Sequence, residues 1–524
     1  DGSHKYIHIA DTEIFNTENH EDWVNNVRDY ARNEQAAFII HTGDICYEKG
    51  LKAHIKLMNT ENMDCPVFYC IGNHDLVKGK YGEELFESIY GPVYYSFDAG
   101  NVHYVVTPMS GGDHAPGYTS DDVCRWLKND LAHIRPGTPV VVFNHDLLTY
   151  EDTFIFKSKN AGSINLNEYN LKAWVYGHWH INYMKKQGDV YSVCTSSLDK
   201  GGIDHSTTAF RVMHVDSKGD FTSELRYTYL DKNICIASPA GVMASGVLPV
   251  AVNVYSSVSP VREVLYTCLA DGKPVLKNKR LLQSTDWSWN GELPLSHKYV
   301  GKELTLRVTA RFNNGEIAEA ESNFICRTEK AVPLFSADWD NLSGNAKHSA
   351  PVSAPLNLPL QLAWTNNVGA NLYMTSPLIH KGKVIVASVD EDLKGAGHVY
   401  ALNGKDGTIL WSCPVRNSIK NSIAVDSDIV FAQDAQGWHL QVPRSALTQE
   451  QTVQRWAAAL AQAFACPGVQ VQVGPVQDSP ALRHQAQAQA RQRGAEAIVA
   501  NDAQVQALIA QYGATIVPGS IRPL

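Results

Sequence analysis

The sequence predicts an α/β domain at its amino-terminal end, followed by smaller all-β modules. Over residues 5–230, short apolar runs alternate with amphipathic helical stretches. Between 235 and 330 the runs become alternating and are separated by turn residues. Loops carrying Asp, Asn and His recur in the first region wherever an apolar run ends. At 524 residues the chain exceeds one ordinary core, so three or more domains are expected.

In order, "KYIHIAD" reads as a strand, "HEDWVNNVRDYARNEQ" as an amphipathic helix and "AAFIIHTGD" as a strand. "LKAHIKLMNTEN" is helical and "PVFYCIGNHD" is a strand running into a loop. "NVHYVVT" is a strand, "SDDVCRWLKNDLAHI" a helix, and "TPVVVFNHD" and "KAWVYGHWH" are further strands. Such repetition puts functional loops at the carboxyl ends of the strands. "LPVAVNVYSS", "VREVLYTCLADG" and "ELTLRVTARFNNG" then suggest a small β-sandwich over 233–330, and 331–358 reads as a linker.

Net charge is −9 with no Lys/Arg block, which argues against a nucleic-acid or anionic-membrane surface. No apolar run approaches the roughly 20 residues of a membrane span. The ten cysteines are scattered without CxxC, and most are expected to be buried thiols. Cys268 and Cys326 are the one pair whose strand-like settings could bring them together.

Within 359–440, "LAWTNNVG…TSPLIHKGKVIVAS" is echoed by "ILWSCPVRN…NSIAVDSDIVFAQD", a repeat of about 47 residues marked by Trp364 and Trp411. "GHVYALNGKDGTILW" resembles the blade signature of PQQ-like propellers, but the chain supplies barely two blades. A closed ring takes roughly four to eight, so the propeller is incomplete. After Gln441 no Lys occurs and Ala and Gln dominate. This stretch, 441–524, resembles the C-terminal domain of the bacterial DNA polymerase III tau subunit and reads as a short α/β tail joined to unrelated sequence. No part in the chemistry is assigned to it.

Five motifs punctuate the first domain: "ADTE" (10–13), "GDICY" (43–47), "GNHD" (72–75), "VFNHD" (142–146) and "GHWH" (177–180). They supply Asp11, Asp44, Tyr47, Asn73, His74, His145, His178 and His180. Carboxylates, imidazoles and an amide from five loops are what a two-metal hydrolase needs, with one carboxylate shared between the ions. In "GHWH" alternate residues share a face, so both imidazoles aim the same way.

The order and spacing of the five resemble the calcineurin-like metallophosphoesterase superfamily over residues 5–215. "YGPVYYSFDAGNVHYVVT" resembles that family's connecting hairpin. The resemblance implies a four-layer αββα sandwich over 1–232 and a phosphatase or phosphodiesterase using a metal-activated hydroxide. It also implies a first ion held by Asp11, Asp44, His180 and Tyr47 or Glu13. The second would be held by Asp44, Asn73, His145 and His178, with Asp44 bridging. His74 resembles the family residue that stabilises the transition state or protonates the departing oxygen, and Asp75 is expected to orient it.

Position 13 departs from the family's usual Asp-x-His. The purple acid phosphatase branch also lacks that histidine and uses Gly-Asp-x-x-Tyr, whose tyrosinate binds ferric iron; "GDICY" fits, although "DTE" matches neither pattern. A phenol with a free pKa of about 10 is a good ligand only for a strongly acidic trivalent ion, whereas Glu13 suits Mn, Fe(II) or Zn unaided. Tyr47 is the favoured reading, with two ions of the Fe/Mn/Zn group and a mixed Fe(III)–M(II) pair allowed. His8, His41 and His103 are expected to be structural, while His20 and His114 lie in polar stretches that could line a substrate mouth.

A second reading makes the first domain degenerate and gives the function to the β-modules, as in a cell-envelope binding or adhesion protein. Its support is the departure at position 13. The β-modules favour a periplasmic or secreted bacterial setting. Monoester, diester, polymer and small-molecule substrates are not separated by the sequence.

Overall fold

Tyr6, Ile7 and Ile9 of β1 (His4–Ile9) are all buried, so this strand is covered on both faces. The computed structural model describes residues 2–15, 18–244, 246–328, 338–344, 362–372, 375–392, 397–415, 418–420, 423–426, 429–434, 437–442, 454 and 469–473. The chain divides into two units. One is Asp1–Phe335 with Ala354–Met374 and Ala387–Lys420; the other is Ser336–Ser353 with Thr375–Val386 and Asn421–Leu524.

After β1 the first unit continues through α1 (Glu21–Glu34), β2 (Phe38–His41), α2 (Tyr47–Leu57), α3 (Thr60–Met63), β3 (Val67–Tyr69) and α4 (Glu84–Tyr90). Next come β4 (Tyr95–Ala99), β5 (Val102–Val106), α5 (Ser120–Ala132), β6 (Val140–Phe143), β7 (Ile155–Lys157), β8 (Ser163–Asn165) and β9 (Leu171–Tyr176). β10 (Tyr183–Gln187), β11 (Val190–Cys194), β12 (Ala209–Val215) and β13 (Phe221–Tyr227) complete the region. The expected helix over "LKAHIKLMNTEN" is interrupted. Met58 is extended, and the Asn59 side chain accepts the Asn62 N–H to start α3 afresh.

Two mixed sheets result, ordered β13-β12-β1-β2-β3 and β10-β11-β9-β6-β5-β4. In the first, β1, β2 and β3 are parallel, with Ile9 opposite His41 and His41 opposite Tyr69. In the second, parallel β5, β6 and β9 set Val106 opposite Phe143 and Phe143 opposite Val175. Strands therefore end level within each sheet, and the loops that follow emerge together.

Alternation divides the side chains between layers. Tyr6, Phe38 and Ile40 share a core with Tyr104, Phe143 and Val175 of the other sheet. Ring centroids 5.0 Å apart for Phe38–Tyr104 and 5.7 Å for Tyr6–Phe143 show the two sheets in contact. Ile7, Ile9 and Ile39 point the other way, onto Trp23, Val27 and Tyr30 of α1 and Leu51 of α2. Val105, Val142 and Trp174 pack against Cys124, Leu127 and Leu131 of α5. Helix α5 starts on a reciprocal cap: Thr119 N–H donates to the Asp122 carboxylate, and Asp122 N–H to Thr119 Oγ1.

Residues 233–327 form β14 (Asn233–Ser238), β15 (Gly241–Ala244), β16 (Val247–Tyr255), β17 (Val261–Ala270), β18 (Lys273–Arg280), β19 (Leu282–Gln283), β20 (Ser288–Pro294), β21 (Glu303–Phe312) and β22 (Ile317–Arg327). Sheets β14-β16-β20-β19 and β15-β22-β21-β17-β18 share one apolar core. Cys268 on β17 and Cys326 on β22 are both free thiols, so the possible pair is not formed. β21 lies between their strands, and two strand spacings of about 4.8 Å each exceed the reach of a disulfide.

In the second unit, Leu378, Ile379 and His380 pair antiparallel with Ile385, Val384 and Lys383, and Ala424–Asp426 with Ile429–Asp434. These hairpins fall at matching points of the 47-residue repeat. Of the segment after 441, only 442, 454 and Val469–Val473 are described. The strand Val469–Val473 runs parallel to Gly437–Val442, and the tau-like reading of the tail otherwise lies outside the described residues.

Candidate metal centre

The expected ligands sit on loops just beyond parallel strands: Asp11 after β1, Asp44 after β2, Asn73 after β3, His145 after β6, and His178 and His180 after β9. The backbone there is bent into unusual conformations. Asp11, Glu13, Asp44, Cys46, Tyr47, His178 and His180 all have φ between 42° and 73°. Such left-handed residues cost of order 1 kcal/mol each and concentrate where geometry is imposed for function. Glycine permits the close approach of loops. A Cβ on Gly72 would lie 2.3 Å from both the Asp44 nitrogen and its Oδ1, and one on Gly177 would lie 2.6 Å from Asp11 Oδ2.

The Asp44 Oδ2 and His145 Nε2 atoms are 3.1 Å apart, and His145 Nε2 is 3.2 Å from His178 Nδ1 and 4.0 Å from Asp11 Oδ1. His145 Nδ1 lies 2.7 Å from the Thr42 carbonyl, which can only accept, so Nδ1 carries a proton. In the neutral ring Nε2 is then a lone pair facing other ligand atoms. One donor atom from each of Asp44, His145 and His178 lies within 4.8 Å of the others. Asn73 Oδ1 is buried and has no hydrogen-bond partner among the described residues. Asn73 adjoins His74, whose N–H is on Asp44 Oδ1, and an orphaned buried amide oxygen fits a bound cation.

Beside this group, His180 Nε2 is 3.5 Å from Asp11 Oδ1 and 3.7 Å from Glu13 Oε1. Glu13 Oε2 also meets Lys200 Nζ at 2.8 Å. Asp11 accepts the His178 backbone N–H at 3.0 and 3.1 Å, which ties the β1 and β9 loops together. Asp44 Oδ1 accepts the His74 N–H at 3.0 Å.

Electrostatics matches a site built for positive charge. Burial pushes the Asp11 carboxyl well above its usual range. Burial also raises Asp44, but the His145 ring and His74 together outweigh it and the net direction is down. His145 is lowered by burial, then carried up to about 9 by the Asp44 carboxylate. Burial and neighbouring His145 push His178 down. Asp11 and Asp44 thus bring two carboxylates into one buried place, where a bound cation would take over the role of the His145 proton.

Tyr47 stands differently from Glu13. Its side chain is 45% exposed, and its ring lies 5.6 Å from His74 and 6.4 Å from Phe15. Glu13 is the one set beside His180. Asp75 does not orient His74, contrary to expectation. One of its oxygens accepts the backbone N–H groups of Asp44 and Gly72 and the other accepts that of Cys46, each at 2.9 Å. Fully buried, Asp75 is pushed up to about 6 by burial and by Asp44. Its work is to brace the two ligand loops.

His74 Nδ1 instead meets Asp113 Oδ2 at 3.0 Å. Sequence reasoning missed Asp113, which lies in the loop after β5; the only signal was the turn-like "SGGD". Lys200 was missed as well. His8 bonds Thr42 and Thr195, His41 bonds Thr12, and His103 lies between Asp98 and Asp130, all structural. His20 accepts a bond from Trp23. Trp179 donates to Asp146 Oδ1 at 3.2 Å and stacks on exposed Tyr150.

Purple acid phosphatase 13 of Arabidopsis thaliana is 26% identical over 215 residues, covering 38% of this chain and 36% of that protein. The chain thus spans about a third of that relative's length. A predicted phosphoesterase from Streptococcus pneumoniae aligns with TM-score 0.22 and 12% identity, over 43% of this chain and 90% of that one. CopC from Methylosinus trichosporium OB3b aligns at TM-score 0.15 and 13% identity, over 19% and 100%. Residues 4–182 match the family model for calcineurin-like phosphoesterases, so this region of the chain carries a calcineurin-like phosphoesterase domain.

Proposed function

We propose that residues 1–232 form a four-layer αββα hydrolase that cleaves phosphoesters with two bound cations. Residues 233–330 would add an Ig-like sandwich, and 359–440 two incomplete propeller blades. The observation that carries the reading is the gathering of donor atoms from Asp44, His145 and His178 within 4.8 Å of one another, and the buried, unpartnered Asn73 oxygen adds to it. Asp44, Asn73, His145 and His178 would hold one cation, and Asp11, Asp44, His180 and Glu13 or Tyr47 the other. Bound ions of the Fe, Mn or Zn group would supply Lewis-acid charge to the phosphoryl oxygens and acidify a water.

The chain's own groups then divide the remaining work. Burial of Asp11, Asp44 and His145 excludes water from behind the ligands and strengthens their charge interactions. The partly exposed His74 would hand a proton to the leaving oxygen. A cavity of about 410 Å³, lined by Met109, Tyr118, Asn144, Asp146, Leu147 and Phe156, borders both neighbours of His145 and is the proposed seat of the leaving group.

Hydrolysis of p-nitrophenyl phosphate with added Mn²⁺, Fe²⁺ or Zn²⁺ tests the proposal. Metal-dependent turnover that is lost in Asn73→Ala supports it. Turnover no greater than that variant's under all three metals overturns it.

A further inference from the structure

We propose that Asp113 is the positioning residue for His74. This rests on the phosphoesterase reading and adds a residue that lies outside the five motifs. His74 occupies a short 3-10 turn, Asn73–Asp75, and its side chain is 36% exposed. An imidazole so placed has rotamers available to it, and a 1 Å misplacement of a reacting group costs about 100-fold in rate. Something must hold the ring. Asp75 cannot, because its carboxylate is occupied by three backbone amides.

Asp113 is built for the task. Its Oδ2 lies 3.0 Å from His74 Nδ1, and its own backbone N–H donates to the Asn73 carbonyl at 3.0 Å. The loop seats closely on that peptide, since a Cβ on Gly112 would be 2.1 Å from the same Asn73 oxygen. Further along, Gly82 N–H donates to Ala115 O at 2.9 Å, and Gly117 N–H to the Glu83 carboxylate. Asn73 therefore carries the orienting carboxylate on its backbone, while its own side-chain oxygen is buried without a hydrogen-bond partner among the described residues. The His74 N–H on Asp44 Oδ1 fixes the other end of the turn. Tyr47 lies against the ring, 5.6 Å away.

The bond makes Nδ1 the donor to Asp113 and gives Nε2 to the substrate. When the P–O bond breaks, its electron pair stays with the leaving oxygen, which takes the Nε2 proton. Water supplies the new P–O bond, and the proton it releases restores Nε2–H. Nδ1–H remains on the ring throughout, so Asp113 touches no reacting atom.

Leaving-group dependence tests the inference in the full chain. p-Nitrophenolate leaves without help, whereas phenolate and alkoxides need the proton. Asp113→Asn is expected to slow phenyl phosphate by about tenfold or more while changing p-nitrophenyl phosphate by less than about threefold. His74→Ala should show the same selectivity, and adding Asp113→Asn to it should cost nothing further. Equal losses on both substrates, no loss, or additive losses in the double variant would overturn the role. Imidazole ¹⁵N resonances, assigned by comparison with His74→Ala, give a readout free of turnover. Asp113→Asn should shift the His74 nitrogens away from the Nδ1–H form, and an unchanged pattern refutes the contact. If the wild type hydrolyses neither ester, the phosphoesterase proposal fails, and the nitrogen resonances alone decide whether Asp113 holds His74.

Discussion

His145 and Asp44 meet at 3.1 Å with side chains 0% and 3% exposed. A buried pair of this kind lacks the water that would otherwise stabilise its charges, so its geometry must be satisfied locally. The Thr42 carbonyl fixes the His145 tautomer, and the His74 N–H holds one Asp44 oxygen. The remaining atoms face His178 and Asp11.

Asp44→Asn keeps the shape and removes the charge that both cations would share. Loss of metal-dependent charge stabilisation worth several kcal/mol predicts a fall in turnover of about 10³-fold. Bound metal measured by atomic emission should fall in parallel. Wild-type metal content in this variant would show that Asp44 is no ligand.

Glu13 and Tyr47 compete for one coordination position. Glu13 Oε1 is 3.7 Å from His180 Nε2, whereas the Tyr47 ring lies against His74 and Phe15. Geometry therefore favours the carboxylate. Glu13→Gln is expected to lower metal affinity by about 10–100-fold, and Tyr47→Phe to leave metal content unchanged. The purified wild type should be colourless. A purple iron protein bleached by Tyr47→Phe would reverse the assignment.

The strand ends were legible because apolar runs of four to six residues stop at Gly-Asp, Gly-Asn and Gly-His pairs. Parallel strands ending level then bring Asp11, Asp44, His145 and His178 within reach of one another. Asp75 and Asp113 were harder to read. Both are acidic residues near His74 in the fold, and a linear motif cannot say which carboxylate faces a ring and which faces amides. That choice is made by the docking of the 110–117 loop, thirty-nine residues away in sequence for Asp113. Cys268 and Cys326 failed for a similar reason, since strand order, not strand content, separates them.

Gly72→Ala tests whether the loops are as tightly fitted as they look. Its φ of −95° suits any residue, so backbone strain is not the issue. The added methyl would meet Asp44 N and Oδ1 at 2.3 Å, one a backbone atom and the other a carboxylate oxygen held by the His74 N–H. Overpacking of this kind costs about 1–3 kcal/mol. The variant should lose stability to urea by that amount and lose metal affinity with it. Unaltered metal binding would mean that the Asp44 loop shifts freely.

His54 offers a pH test away from the metal site. It is fully buried in α2, and neither ring nitrogen has a hydrogen-bond partner among the described residues. Around it stand Trp23, His41, Tyr69 and Tyr90, with no carboxylate among these ring neighbours to favour a charge. Burial, with a smaller contribution from His20, lowers its pKa to about 3. An unfolded chain would protonate it near 6.5, so the unfolded state binds more protons between these values. Stability from neutral His54 is thus intact above about 6.5 and is lost as pH falls toward 3. From pH 7 to 5 the loss is about 2 kcal/mol, or roughly 4–8 °C in Tm for a domain of this size. His54→Phe keeps a flat ring in the pocket and cannot take up a proton. Its Tm should fall less than that of the wild type between pH 7 and 5 by that margin. Parallel falls in the two proteins would show that His54 has a proton acceptor, and that its burial places no limit on the fold in acid.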